Sequence, residues 1–225
     1  AGAFGLALHL GPLPPDCLAL TATHLELRLA GLGGPLQVDL TDGRSAYRAR
    51  RGGRETIARA VGARRHPRVV DACAGLGRDA WVLARLGCRV DLLERSPVVA
   101  ALLHDGLQRA AATPHGASVA AFLRLQHVDA RTYLQALPAA QWPEVVYLDP
   151  MYPDPERGAL PGKAQQALRQ VVGTDPDAAE LLELALERGR CRVVVKRPRR
   201  APSLGGQSPS FSHNGRSTRF DVYLC

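Results

Sequence analysis

The chain has 225 residues, 46% of them hydrophobic and 22% charged, ordinary globular usage that excludes wholesale disorder. At roughly 100–200 residues per domain it makes one domain, or one with a small appendage, large enough to hold a core without disulfides or metal. The formal net charge is +8, no run approaches the ~18 consecutive apolar residues of a membrane span, and the opening lacks a basic n-region, so no signal peptide is expected and the missing Met suggests a trimmed start.

The first 60 residues read as short strands over 18–21, 25–29, 36–40 and 46–50. Turn signals at Gly31, Gly33-Gly34 and Asp42-Gly43 divide them. Residues 54–61 look helical. From Arg68 the pattern changes to alternating strand and helix. Apolar runs over 68–72, 89–94, 123–128, 145–148, 192–196 and 220–224 read as strands. Residues 79–86, 97–112 and 177–188 have helical spacing. Ser96 is placed as an N-cap before Pro97 at the first helical position. The helix over 177–188 opens with acids and closes with bases, as its dipole prefers. Residues 198–215, rich in Pro, Ser and Gly, read as a mobile loop. Buried strands alternating with helices predict an α/β fold: a Rossmann-like, mostly parallel sheet with helices on both faces. That domain is expected over 61–225, preceded by a small β-rich subdomain with a basic segment over 1–60.

All but two of the 29 basic residues are arginines, the exceptions being Lys163 and Lys196. Nine arginines and a single acid, Glu55, lie between Arg44 and Arg68. Arg48, Arg50, Arg51 and Arg54 are therefore candidate RNA contacts, with a solvated basic face as the alternative. The five cysteines (Cys17, Cys73, Cys88, Cys191, Cys225) are odd in number and lack C-x-x-C spacing. They read as small hydrophobes in a reducing, cytoplasmic setting, and no metal site is expected.

Four landmarks stand at the carboxyl ends of successive strands, where open α/β sheets bind ligands. The first is the loop Asp71-Ala72-Cys73-Ala74-Gly75-Leu76-Gly77, whose glycines allow a tight turn and close backbone approach. The second is Glu94, placed to accept hydrogen bonds from ribose hydroxyls; a salt bridge with Arg78 or Arg95 is the alternative. The third is Asp129-Ala130. The fourth is Asp149-Pro150-Met151-Tyr152, for which a plain turn is the alternative. A carboxylate, a proline and an aromatic ring can hold an exocyclic amine flat against a methyl donor. Hydride transfer requires nothing comparable, so S-adenosylmethionine (SAM) is preferred to a nicotinamide cofactor. Lys196 is assigned either to RNA phosphate or to a surface ion pair, and His127 to packing rather than to a base.

The chain resembles the ribosomal RNA small subunit methyltransferase J family. The resemblance is carried by Asp71-Ala-Cys-Ala-Gly-Leu-Gly-Arg-Asp-Ala80, Leu86-Gly-Cys-Arg-Val90, and the run from Leu93 to Leu107. Val145-Val-Tyr-Leu-Asp-Pro-Met-Tyr-Pro153, Val193-Val-Val-Lys-Arg-Pro198, Arg219-Phe-Asp-Val-Tyr223 and His24-Leu-Glu-Leu-Arg28 carry it further. It implies a class I SAM-dependent methyltransferase that modifies guanine N2 of small-subunit (16S) ribosomal RNA, free or within the small ribosomal subunit. It implies cofactor contacts at Arg78, Asp79, Glu94, Arg95, Asp129, Ala130 and Asp149, beside Asp71, Gly75 and Gly77 of the first loop. Asp149, Pro150, Met151 and Tyr152 would carry the chemistry, and Lys196 and Arg197 would meet RNA. Two departures stand out: Cys73 replaces a threonine-like residue, and the stretch from Asp154 to Gly158 is less basic than the family pattern. Rival readings are a DNA or protein-glutamine amino-methyltransferase, and a non-catalytic RNA-binding assembly factor.

Overall fold

The computed structural model describes residues 2–7, 9, 11, 13–41, 55–152 and 162–225. Arg48, Arg50, Arg51 and Arg54, the strand expected over 46–50, and the stretch from Asp154 to Gly158 lie outside the described residues.

A seven-stranded sheet organises the molecule. Its strands are β3 (Arg68–Asp71), β4 (Arg89–Glu94), β5 (Leu123–His127), β6 (Val145–Leu148), β7 (Arg192–Pro198), β8 (Phe211–Asn214) and β9 (Thr218–Leu224), in the order β5-β4-β3-β6-β7-β9-β8. The run from β5 to β7 is parallel, and β9 and β8 add antiparallel pairs. The strands are short because their apolar runs are short. β6, Val-Val-Tyr-Leu, is buried at every position, as a parallel strand covered on both faces must be.

One face of the sheet is covered by α1 (Thr56–Val61), α2 (Arg78–Arg85) and α3 (Pro97–Ala111), which bury Ile57, Trp81, Leu83, Leu102 and Leu103 with Val69 and Tyr147. The other is covered by α5 (Ala130–Ala136) and α7 (Ala178–Arg188), where Leu134 and Leu182 meet Val70, Leu93, Val146 and Leu148. Ser96 caps α3 as expected: its hydroxyl accepts from the Val99 amide, with Pro97 next in line.

Three helices were not expected: α4 (Pro114–Ala120), α5 and α6 (Lys163–Val172). α4 and α5 have seven residues each, too few to show a clear period. The loop expected over 198–215 holds a turn of 3₁₀ helix at Leu204–Gly206 and the edge strand β8. The polar residues of β8 hid its pairing with β9.

At the N-terminal side β1 (Cys17–Leu20) and β2 (Leu25–Arg28) form an antiparallel pair. The strand expected over 36–40 is a single bridge between Leu36 and Leu27. Leu36, Val38 and Leu40 are buried in the same core as α3. Val38 packs against Gly106 of α3, where an added Cβ would lie 2.4 Å from Val38 Cγ1; only glycine fits that notch. All five cysteines are free thiols, Cys88 buried and Cys225 exposed.

Candidate active site

A cleft of about 460 Å³ opens at the carboxyl ends of β3, β4, β6 and β7, within the ~300–1,000 Å³ usual for small-molecule sites. Asp71, Gly75, Arg78, Asp79, Glu94 and Arg95 line it. Asp129, Ala130, Asp149, Pro150, Met151, Tyr152, Lys196 and Arg197 also border it.

Glu94 ends β4 and is buried. Its Oε2 accepts from the Gly75 amide at 2.9 Å and its Oε1 from the Ser96 amide at 2.8 Å. The carboxylate thus ties the first loop to the start of α3, and each oxygen keeps a lone pair for a ligand. Burial raises its pKa, while the Ser96 and Gly75 amides work against the shift. The salt bridge weighed for Glu94 is not how it is held: Arg95 turns instead to Asp175 and to Asp177, the latter at 2.7 Å. Asp129 caps α5 by accepting from the Arg131 amide at 2.8 Å. The Arg131 side chain also holds its carboxyl below the usual range. Asp175 further accepts from the Met151 amide at 2.6 Å. Asp175 and Asp177 were not expected as site residues; Asp177 was read only as an acid at the start of a helix.

Gly77 does not line the cleft. It takes a left-handed φ of 71° at the start of α2, and a Cβ there would lie 2.6 Å from Leu103 Cδ1. Its role is loop geometry and packing on α3. Asp71 is buried, accepts from the Cys73 amide at 3.2 Å and is pushed well above the carboxylate range by burial.

The far half of the cleft holds a polar chain. Tyr147 donates its hydroxyl to Asp79 at 2.8 Å, and Lys196 Nζ donates to Asp79 at 2.9 Å and to Asp149 Oδ2 at 2.8 Å. Lys196 is therefore a bridge inside the site rather than a contact reaching out to phosphate. Burial opposes its charge, yet Asp79 and Asp149 raise its pKa above that of an ordinary lysine. Burial raises Asp149, and Lys196 works against that shift. About a third of the Asp149 side chain (36%) remains open to the cleft.

Tyr152 donates its hydroxyl to the Lys196 carbonyl at 2.8 Å, and the Arg197 guanidinium sits 3.9 Å from its ring centroid. Arg197 is buried and donates to the Pro202 carbonyl, at 3.0 Å from Nε. It backs the tyrosine ring instead of facing solvent. His127 lies outside the cleft, packs near Phe4 and points Nε2 at the Arg95 carbonyl.

These residues fit SAM on chemical grounds. Glu94 offers acceptors for a pair of hydroxyls, the left-handed Gly75 leaves its side of the loop open (φ 52°), and Asp149 faces the cleft from the opposite side. Among the described residues no group of three or more His, Cys, Asp or Glu is arranged to hold a metal ion.

Comparison with known proteins agrees. Residues 5–225 match the family described as "Putative SAM-dependent methyltransferase". A ribosomal RNA small subunit methyltransferase J of Nitrosococcus oceani is 49% identical over 98% of this chain and 90% of its own length. One of Thioalkalivibrio sulfidiphilus is 52% identical over 93% and 85%. The crystal structure of a SAM-dependent methyltransferase of Neisseria gonorrhoeae superimposes with a TM-score of 0.78 at 41% identity, covering 96% of this chain and 86% of that one. A 16S rRNA N2 G1207 methyltransferase of T. thermophilus, solved with AdoMet and guanosine, shares the fold at a TM-score of 0.53 and 17% identity, covering 95% of this chain and 52% of that one.

Fold and site together define a class I SAM-dependent methyltransferase. Similarity along nearly the whole chain narrows the class: the chain belongs to the ribosomal RNA small subunit methyltransferase J family.

Proposed function

We propose that this protein methylates the exocyclic N2 amine of a guanine in small-subunit (16S) ribosomal RNA. The observation that carries the reading is the Asp149 carboxylate, held through one oxygen by Lys196 and open to the cleft beside Tyr152. Bound SAM supplies an activated sulfonium methyl, so the chain's own residues have mainly to position the acceptor. Glu94, Asp129 and Ala130 would hold the cofactor's nucleoside part. The Asp149 oxygen left free by Lys196 would accept a hydrogen bond from the guanine amine, orient it and offset the positive charge that develops on nitrogen. Tyr152, fixed by its hydroxyl and backed by Arg197, would present its free face for the base to stack on. A guanine in folded RNA would first have to leave its stack.

Lys196 acts in this reading as a positioning residue. It opposes the burial that raises Asp149 and fixes its rotamer, while Asp79, itself bonded by the Tyr147 hydroxyl, anchors the ammonium from behind. We further propose that a small β-rich subdomain with a basic segment over 1–60 precedes the methyltransferase domain at 61–225. The partner is the rRNA or small subunit, in a cytoplasmic setting, without metal or membrane; no described helix is long and apolar enough to cross a bilayer.

The test is methyl transfer from labelled SAM to small ribosomal subunits, free rRNA, duplex DNA and a glutamine peptide, followed by mass-spectrometric mapping. N2-methylguanine in rRNA is the expected product. Label found only in DNA or peptide, or in none of the four, overturns the reading.

A further inference from the structure

The opposite end of the sheet carries a second set of exposed groups. In the parallel register Arg68 of β3 stands beside Arg89 of β4, and Asp91 beside Arg124 of β5. Partners in register, and residues two apart on a strand, point to the same face. Arg68, Arg89 and Arg124 therefore share one face, with Asp91 between them. All three arginines are exposed, so α5 and α7 do not reach over this end. Phe122 is 37% exposed; it lies two residues before Arg124 and continues the ladder by accepting from the Val90 amide at 2.8 Å. Arg64 and Arg65, also exposed, sit just ahead of β3. The nearby acids are Asp91 and Glu144; the latter accepts from the Arg68 amide at 3.0 Å.

Arginine forks match phosphate oxygens, and an exposed aromatic ring among them offers a stacking surface for an unpaired base. This end lies five residues of β4 from Glu94, about 17 Å at ~3.3 Å per residue. A short strand seated in the cleft does not reach it. We propose that the face formed by Arg68, Arg89, Arg124 and Phe122, with Arg64 and Arg65 on the turn that precedes β3, is a second docking surface for RNA. Its occupant is a different stretch of the same folded ribosomal RNA whose guanine enters the cleft. The inference rests on the function proposed above and sharpens it: the preferred substrate is a folded particle or large RNA domain, not a short oligonucleotide.

The experiment compares wild type with Arg64→Gln/Arg89→Gln/Arg124→Gln and with Phe122→Ala on two substrates. These are intact small subunits and a short RNA fragment carrying the mapped guanine. None of these side chains lines the cleft, so kcat and KM on the fragment stay at wild-type values. On subunits the triple variant raises KM about tenfold. It also flattens the log–log salt dependence of binding by about two to three units, nearly one per lost phosphate contact. Phe122→Ala raises KM without changing the salt slope. Equal loss on both substrates, or unchanged KM and slope on subunits, overturns the second surface while leaving the cleft's assignment standing. Unchanged subunit binding together with lost binding to phosphatidylserine vesicles assigns the face to a membrane and overturns it too. Failure of wild type to methylate either RNA strikes the function itself.

Discussion

Glu94 and Asp149 both stand at the carboxyl ends of buried strands and both face the same cleft, yet they are held by different means. Glu94 is pinned by two backbone amides, Gly75 and Ser96, which belong to loops fixed by the fold. Asp149 is held by one flexible side chain, Lys196, which is itself shared with Asp79. A carboxylate set by backbone is suited to binding, where the geometry need not change. A carboxylate set by a neighbouring cation can adjust its charge and orientation as a reacting amine arrives. In the function proposed above, the cleft divides accordingly into a rigid half that would hold the cofactor and a tunable half that would take the acceptor.

The sharpest way to break this comparison is Asp149→Ala. Removing one preorganised contact to the reacting group should lower the single-turnover rate by about 10²–10³ at saturating cofactor. SAM affinity should change far less. Full activity in a variant shown to be folded by circular dichroism would remove the Asp149 loop from the chemistry.

Glu94→Gln should do the converse. Loss of charge-assisted acceptors should cost about 2–3 kcal/mol, roughly 30–150-fold in SAM affinity by calorimetry, with turnover at saturation near wild type. Glutamine is preferable to alanine here, because its single oxygen can still accept from one of the two amides of Gly75 and Ser96, whereas alanine would strand both. Unchanged affinity would contradict the assignment.

Lys196→Met tests the tunable half, with an expected loss of about tenfold near neutral pH. The ionised Asp149 is the form that accepts an N–H. Turnover should therefore fall as pH drops through its pKa, which burial raises from its ordinary value. Lys196 works against that shift, so its removal should move the acidic limb to higher pH, and Lys196→Arg should move it back part of the way. A pH–rate profile that only scales down, with no displacement, would reduce Lys196 to packing. The smallest effect is expected from Tyr152→Phe. Losing the bond to the Lys196 carbonyl should raise KM for RNA about threefold and leave SAM binding alone; a change in SAM affinity instead would place the ring in the cofactor half.

The rigid half was the more legible in sequence. Strand ends, the Gly75 turn and the Ser96 cap are local, and each declares itself within a few residues. The tunable half depends on side chains far apart in the chain. Lys196 reaches Asp79 from 117 positions away, and nothing in Val-Val-Val-Lys-Arg-Pro says whether its lysine points to solvent or to a carboxylate. Arg197 misled in the same way: a basic residue beside the cleft invited an RNA contact, and packing turned it beneath Tyr152. Asp175 and Asp177 went unnoticed because their partner, Arg95, is distant in sequence too. The strand β8 was hidden for a simpler reason, since Phe-Ser-His-Asn has neither alternation nor a β-branched residue.

The placement of β9 bears on how the molecule is made. In the sheet β7 lies between β6 and β9, so the strand bearing Lys196 gains its second neighbour only when residues 218–224 have been synthesised. At ~5–20 residues per second that interval lasts about one to a few seconds on the translating ribosome. The cofactor half, built from β3 and β4, can be complete by then. The contact between Lys196 and Asp149 is thus among the last parts of the molecule to be secured, and a nascent chain stalled before Thr218 would carry a formed first loop beside an unfinished acceptor site.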